Sequence, residues 1–362
     1  MISVIVPTFN ERDNVTKVAK AIMWTLRDRE FEIIFVDDST DDTEEILQSL
    51  AQSDPRLRLE HRASGRGLGT AVVRGFQLAA GDVLAVMDAD MQHPPEMLLP
   101  MLAKIEEGYD VVVPSRFMEG GSDGGLSGPR KIISATARHM AYFALKRLRK
   151  TTDPTSGFFM FRQGIIGGVT LRPIGWKILI EVLARGNYAR VAEIPYAFQS
   201  RGAGRSKMSI KEQWNYMRHL ARLVWESPDD RRIYVFAAVG LSGVLLNSLV
   251  YILLMTLGLP PEPSGLLSAL AALSSNFALN DSVTWRERHD GETWLTRARK
   301  YALASLGGIV IDVTILSTLV RGMDANLVLA NLAGIGAATV WNFGASNRWV
   351  WKKRPASVRE TR

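Results

Sequence analysis

Two carboxylates, Asp88 and Asp90, stand two residues apart in Met87–Glu96, MDADMQHPPE. They follow a short apolar run, Val83–Met87, that reads as a strand. On an extended segment alternate side chains point the same way, so both carboxylates can address one divalent cation. Gln92, two residues further on, offers a third oxygen. Magnesium and manganese take such ligands and often share them with substrate phosphates. An Asp-x-Asp alone is common on protein surfaces; the strand before it and His93-Pro94-Pro95 after it make this one specific.

Two polar turns stand in comparable places. PTFNE (Pro7–Glu11) follows a first strand-like run, and VDDSTDDT (Val36–Thr43) follows a second. The first can hold a base or ribose through backbone groups and Glu11, or simply start a helix with Asn10 as N-cap. In the second, Asp38 can bind a ribose hydroxyl or a base edge, while Asp41, Asp42 and Thr43 serve helix capping. Cations follow: Arg116 in PSRF, Arg130 and Lys131 in GPRKIIS, Lys177 in PIGWKIL, and Arg201, Arg205 and Lys207 in SRGAGRSK. Arginine grips phosphate with two donors at once, although each of these is also readable as a solvated surface charge. The small residues of SRGAGRSK predict a mobile loop able to close over a diphosphate.

The elements that must position these groups are legible in the first half. Strand patterns at Ser3–Pro7, Phe31–Val36, Leu57–His61 and Val83–Met87 alternate with helical patterns at Glu11–Arg29, Asp42–Gln52 and Thr70–Ala79. Such alternation predicts an α/β fold with a parallel sheet. Ligands bind such sheets at the carboxyl ends of the strands, where both acidic clusters fall. Basic amphipathic helices are expected near 130–149 and 209–230, with a membrane interface and an ordinary solvated face as alternative readings.

From Ile233 onward the chain changes character. Apolar segments at about 233–257, 264–283, 301–320 and 325–343 each approach the ~20 residues that cross a bilayer. Asp312 falls inside the third; a charge there costs roughly 3 kcal/mol and should face other helices rather than lipid. The apolar half also repeats itself. LSGVLLN (Leu241–Asn247) returns 65 residues later as LGGIVID (Leu306–Asp312). Asn276-Phe277 with Trp285 returns 66 residues later as Asn342-Phe343 with Trp351, the pattern of a duplicated helical hairpin.

The net charge of +7 is concentrated beside these segments, which points to a membrane surface and away from nucleic acid. Arg231, Arg232, the Arg286–Lys300 loop and the tail from Arg348 are basic, whereas the turn at Pro260-Pro261 has no cation and that near Gly322 has only Arg321. The positive-inside rule then places both termini and the middle loop in the cytoplasm. No signal peptide is evident after Met1, so the catalytic half is expected there too. The absence of cysteine excludes disulfides, thiolate metal sites and thiol chemistry.

With these motifs in view, the chain resembles glycosyltransferase family 2, and within it the polyprenol (dolichol) phosphate mannose synthases. PTFNE, VDDSTDDT, MDADMQHPPE, SRF, RKIIS, DPTSGF, PIGWKIL and RGAGRSK occur in that family's order, and VGLSGVLLN opens a segment similar to the four-helix GtrA-like membrane domain. The acidic turn is one residue shorter than the usual family form, which alters the surroundings of Ser39 and Thr40. The resemblance implies a GT-A (Rossmann-like) domain over 1–208, an interface helix over 209–230 and a membrane domain over 231–362. It implies nucleotide-sugar contacts at Pro7, Phe9, Glu11, Val36, Asp38, Ala89 and Met91, and metal coordination (Mg2+ or Mn2+) by Asp88, Asp90 and Gln92. Arg116, Lys177, Arg201 and Lys207 would meet donor phosphate or sugar; Arg116, Arg130 and Ser134 would receive the lipid phosphate. The implied reaction is inverting transfer of mannose from GDP-mannose to a polyprenyl (dolichyl) phosphate at the cytoplasmic face of the cell (inner) membrane. UDP-glucose or UDP-N-acetylglucosamine as donor, and a non-enzymatic flippase or sensor of lipid-linked sugars, are the alternatives.

Overall fold

A computed structural model describes residues 1–122, 124, 128–199, 210–289 and 291–352. The chain forms two compact units, Met1–Ser227 and Pro228–Arg362.

The first unit is built on seven strands: β1 (Ile2–Thr8), β2 (Phe31–Asp37), β3 (Leu57–His61), β4 (Val83–Val86), β5 (Val111–Ser115), β6 (Phe159–Arg162) and β7 (Val191–Pro195). Their order across the sheet is β3-β2-β1-β4-β6-β5-β7. The expected parallel pairing holds except at β6, which runs antiparallel to both β4 and β5. That reversal has a consequence for chemistry: the segment entering β6 lies beside the end of β4, with Val86 opposite Phe159.

Side-chain alternation explains why the sheet is covered on both faces. From β1, Val4 and Val6 enter one core and Ile5 the other. The first core takes α1 (Val15–Thr25), α4 (Leu98–Glu106) and, through Leu47, the helix over Thr43–Ser53. The second takes α3 (Leu68–Leu78, following α2 at Thr43–Ser53), α5 (Gly128–Ala144), α6 (Ile178–Arg185) and α7 (Ile210–Glu226). The expected helix at 130–149 stops at Ala144, where Leu145 turns extended and a short 3-10 turn, Lys146–Lys150, follows. In α7, Tyr216, Leu220 and Leu223 pack inward at helical spacing, while Trp214, Met217 and Trp225 stand exposed. The Tyr216 hydroxyl donates to the Ala137 carbonyl of α5 at 2.6 Å.

The second unit has two helical hairpins, α8 (Pro228–Thr256) with α9 (Pro261–Leu279), and α10 (Trp294–Ser317) with α11 (Leu327–Ala345). α8, α10 and α11, the last two with their π-helical extensions, are long and apolar enough to span a membrane. α9, the second expected span, is helical and as long as α11, but Ser264, Ser268, Ser274, Ser275 and Asn276 dilute its apolar content. The sequence repeat is a structural repeat. Asn276 packs on Gly243 in the first hairpin, and Asn342 packs on Gly308 in the second. Each hairpin ends in a π-helical turn, Asn280–Thr284 and Ser346–Val350. The two repeated tryptophans, Trp285 and Trp351, stack face to face with centroids 4.4 Å apart. Asp312 is directed at α11, its Oδ1 lying against Gly334, where no side chain intervenes.

Candidate active site

The Asp-x-Asp segment leaves β4 one residue sooner than its pattern suggests, at Val86, and enters a turn. Met91 takes a left-handed φ of 61°, uncommon for a side chain of its size. This bends Gln92 back, so its N–H donates to Asp90 Oδ1 at 3.1 Å. The two carboxylates are therefore not equally presented. Asp90 is buried, whereas the Asp88 side chain is one-third exposed at 33%. Ala89 between them is buried. Gln92 is tied to Gln199 in both directions: its Nε2 donates to the Gln199 carbonyl at 3.2 Å, and the Gln199 N–H donates to its carbonyl at 3.0 Å.

Antiparallel β6 brings Asp153–Gly157 to the same edge. Asp153 is fully buried, and its Oδ2 accepts from Arg116 Nε at 2.9 Å and pairs with the other end of that guanidinium at 2.8 Å. Arg116 also lies over the Phe198 ring, 5.1 Å from its centroid. Lys177, just ahead of α6, donates from Nζ to the Thr155 carbonyl at 2.8 Å. Burial, reinforced by the Arg116 charge, holds this ammonium below the ordinary lysine range against the opposing pull of Asp153 and Asp88. The structure thus brings Asp88 and Arg116 within electrostatic reach of Lys177, with Asp153 holding Arg116 and the Thr155 carbonyl holding Lys177.

The expected nucleotide side lies along the ends of β1 and β2, where Pro7 and Val36 are directly paired. Val36 is fully buried and has only its main chain to offer, while Phe9 is 41% exposed. Asp38 is already engaged. Arg62 donates to both of its oxygens, at 2.8 and 2.6 Å, and the Gly67 N–H donates to Oδ2 at 2.8 Å. Asp37 is the buried hub of the turn, accepting from Thr8 Oγ and Ser39 Oγ and meeting His61 Nδ1. Asn10 does not cap a helix: with φ 56° it donates its N–H to Ser39 Oγ and accepts from the Thr40 N–H. Helix α1 starts only at Val15, with the Asn14 amide donating to Glu11. Asp41, rather than Asp42, accepts from the Thr43 N–H and hydroxyl.

Ser134 is half-buried on α5, one turn beyond Arg130. The Arg130 side chain, and Arg201, Arg205 and Lys207, lie outside the described residues. Sequence reasoning gave no individual role to Arg62, Asp153, His93, Tyr196 or Phe198. The signals were present in DPTSGF and HPP, but their partners come from distant strands.

A partly exposed carboxylate at the end of a central strand, near a desolvated lysine and a braced arginine, suits an enzyme that handles a diphosphate. The sheet carrying it has the GT-A form. Residues 3–169 match the family model for glycosyl transferase family 2, and residues 235–351 that for the GtrA/DPMS transmembrane domain. The chain is 39% identical to the dolichol-phosphate mannosyltransferase of Pyrococcus furiosus, over 92% of this chain and 94% of that one. It is 34% identical to the dolichol-phosphate mannosyltransferase of Saccharomyces cerevisiae, over 61% of this chain and 86% of that one. A crystal structure of glucosyl-3-phosphoglycerate synthase from Mycobacterium tuberculosis, with Mn2+, UDP and glucosyl-3-phosphoglycerate, is 21% identical, covering 62% of this chain and 79% of that one with a TM-score of 0.47. The chain belongs to glycosyl transferase family 2, joined to a GtrA/DPMS membrane domain, and is a membrane glycosyltransferase.

Proposed function

We propose that the enzyme transfers mannose from GDP-mannose to a polyprenyl (dolichyl) phosphate at the cytoplasmic face of the cell membrane, with inversion at the anomeric carbon. The observation that carries this reading is the convergence of Asp88, Arg116 and Lys177 at one sheet edge, in a chain whose near full-length relative is named a dolichol-phosphate mannosyltransferase.

The donor set suits a hard divalent cation. Among the described residues no three His, Cys, Asp or Glu side chains cluster as a metal cage. Two carboxylates and the Gln92 amide leave positions for diphosphate oxygens, as Mg2+ and Mn2+ sites commonly do. A cation held there would supply positive charge against the departing diphosphate. Lys177 and Arg116 add charge on the protein side, and in a partly desolvated site each is worth more than in water. A phosphate monoester acceptor has its second pKa near ~6 and is already anionic at neutral pH, so no strong general base is needed. Arg116, with Arg130 and Ser134 on α5, would orient it and leave an oxygen free to attack. One displacement converts an α-linked donor into a β-linked lipid product.

Placement at the membrane fits the exposed Trp214, Met217 and Trp225 on α7 and Ile132 and Phe143 on α5, which suit an interfacial depth. The basic loops favour the cytoplasmic side for the catalytic unit and both termini. Replacing Asp90→Asn should abolish transfer while membrane insertion persists. Unchanged turnover in that variant refutes the metal assignment.

A further inference from the structure

His93 has no part in the transfer described above, yet it is built into the site. It is 4% exposed, with its ring set among Phe158, Tyr196 and Phe198 at centroid distances of 5.1, 6.0 and 5.4 Å. These three aromatic rings fix the plane of the imidazole. Its two nitrogens address different partners. Nδ1 lies 3.3 Å from the Tyr196 hydroxyl, and Nε2 lies 3.4 Å from Asp88 Oδ2. Burial raises the Tyr196 phenol above its ordinary range. With Nδ1 turned to the Tyr196 hydroxyl, Nε2 is the nitrogen that faces Asp88. Gly157 bounds the carboxylate as well: a Cβ there would sit 2.8 Å from that same Oδ2. The Asp88 carboxylate is thus bounded by the imidazole Nε2 and by bare backbone.

We infer that His93 is a positioning residue: the Tyr196–His93 pair sets the Asp88 carboxylate in the orientation that takes up a divalent cation. The inference rests on the metal reading of Asp88 and Asp90. Partners behind metal-binding side chains typically change metal affinity 10–100-fold when removed. Phe198 also underlies Arg116, so the imidazole is packed against the ring that supports the site's arginine.

The test is Mn2+ titration of the full-length protein in detergent with GDP, and in parallel with UDP, reading free Mn2+ by electron paramagnetic resonance. His93→Phe keeps a ring without a donor, and His93→Gln carries an amide to the place of Nε2. Tyr196→Phe deletes only the hydroxyl. His93→Phe and Tyr196→Phe should weaken Mn2+ binding about tenfold or more, with turnover largely recovered at saturating Mn2+. His93→Gln should stay close to wild type. Where His93→Phe fails to fold, Tyr196→Phe decides the matter. Wild-type Mn2+ affinity in the folded donor-less variants overturns the positioning role alone. Failure of the wild-type protein to bind Mn2+ with either nucleotide overturns the metal reading as well.

Discussion

At Gly157 the lack of a side chain decides where the Asp88 carboxylate can lie. A methyl group there would meet Asp88 Oδ2 at 2.8 Å, and the carboxylate, as the free end of a side chain, is what would move. Gly157→Ala should therefore lower kcat/KM by about a hundredfold, the order expected of a catalytic group displaced by an ångström. Thermal stability should barely change, because no backbone is forced aside. An unaltered kcat/KM would show that Asp88 does not need this orientation. At this scale the sequence was informative for one partner of each pair. Asp88, Arg116, Lys177 and Asp38 were all identifiable from their motifs. Asp153 and Arg62, which hold Arg116 and Asp38, were not, because each bond joins segments brought together only by strand pairing.

The element that most shapes the site is β6. Its reversed direction carries Asp153, Thr155 and Gly157 to the end of β4, where parallel pairing would have sent them to the opposite edge. The β-branched and apolar runs announced the strands, and their alternation announced the layers. Nothing in the four residues of β6 announced its direction, which follows from how the chain returns after α5. A second element-level contact ties α7 to α6. Glu181 is fully buried and accepts from the Arg172 N–H at 2.7 Å, from Arg185 Nε at 2.6 Å and from His219. Burial alone would raise its pKa. The bonds from His219 and the Arg172 N–H, with the charges of His219 and Arg185, outweigh that and hold it below 4.5. A depressed carboxylate stabilises the fold above the unfolded value, and that stability is lost as pH falls through the folded one. Thermal unfolding of the protein in detergent should therefore drop on acidification below pH 4.5. Glu181→Gln should lose about 3 kcal/mol at neutral pH and show a flatter acid limb. An identical acid profile in the variant would remove Glu181 from the explanation.

For the whole molecule, the two units have different internal logic. The first has apolar cores on both faces of a sheet. The second leaves most of its apolar helix surface exposed and places its close contacts between helices, at glycine–asparagine crossings, as lipid-embedded helices do. The duplication was legible because both copies kept the residues that make these crossings, and the length of the apolar runs gave the membrane class. Gly308→Leu should overpack the α10–α11 crossing against Asn342 and destabilise the membrane unit by about 1–3 kcal/mol. Gly243→Leu should do the same to α8–α9, and neither should alter nucleotide affinity of the catalytic unit. Calorimetry in detergent beside nucleotide titration checks both; a loss of nucleotide binding would mean the two units are coupled.

The central claim is the reaction itself. The most direct measurement supplies purified protein in detergent with a polyprenyl phosphate, Mg2+ or Mn2+, and in turn GDP-mannose, UDP-glucose and UDP-N-acetylglucosamine, and reads lipid products by mass. The prediction is a metal-dependent mannosyl-phosphoryl-lipid from GDP-mannose alone. Product only from a UDP-sugar, or from GDP-mannose without any divalent metal, would contradict it.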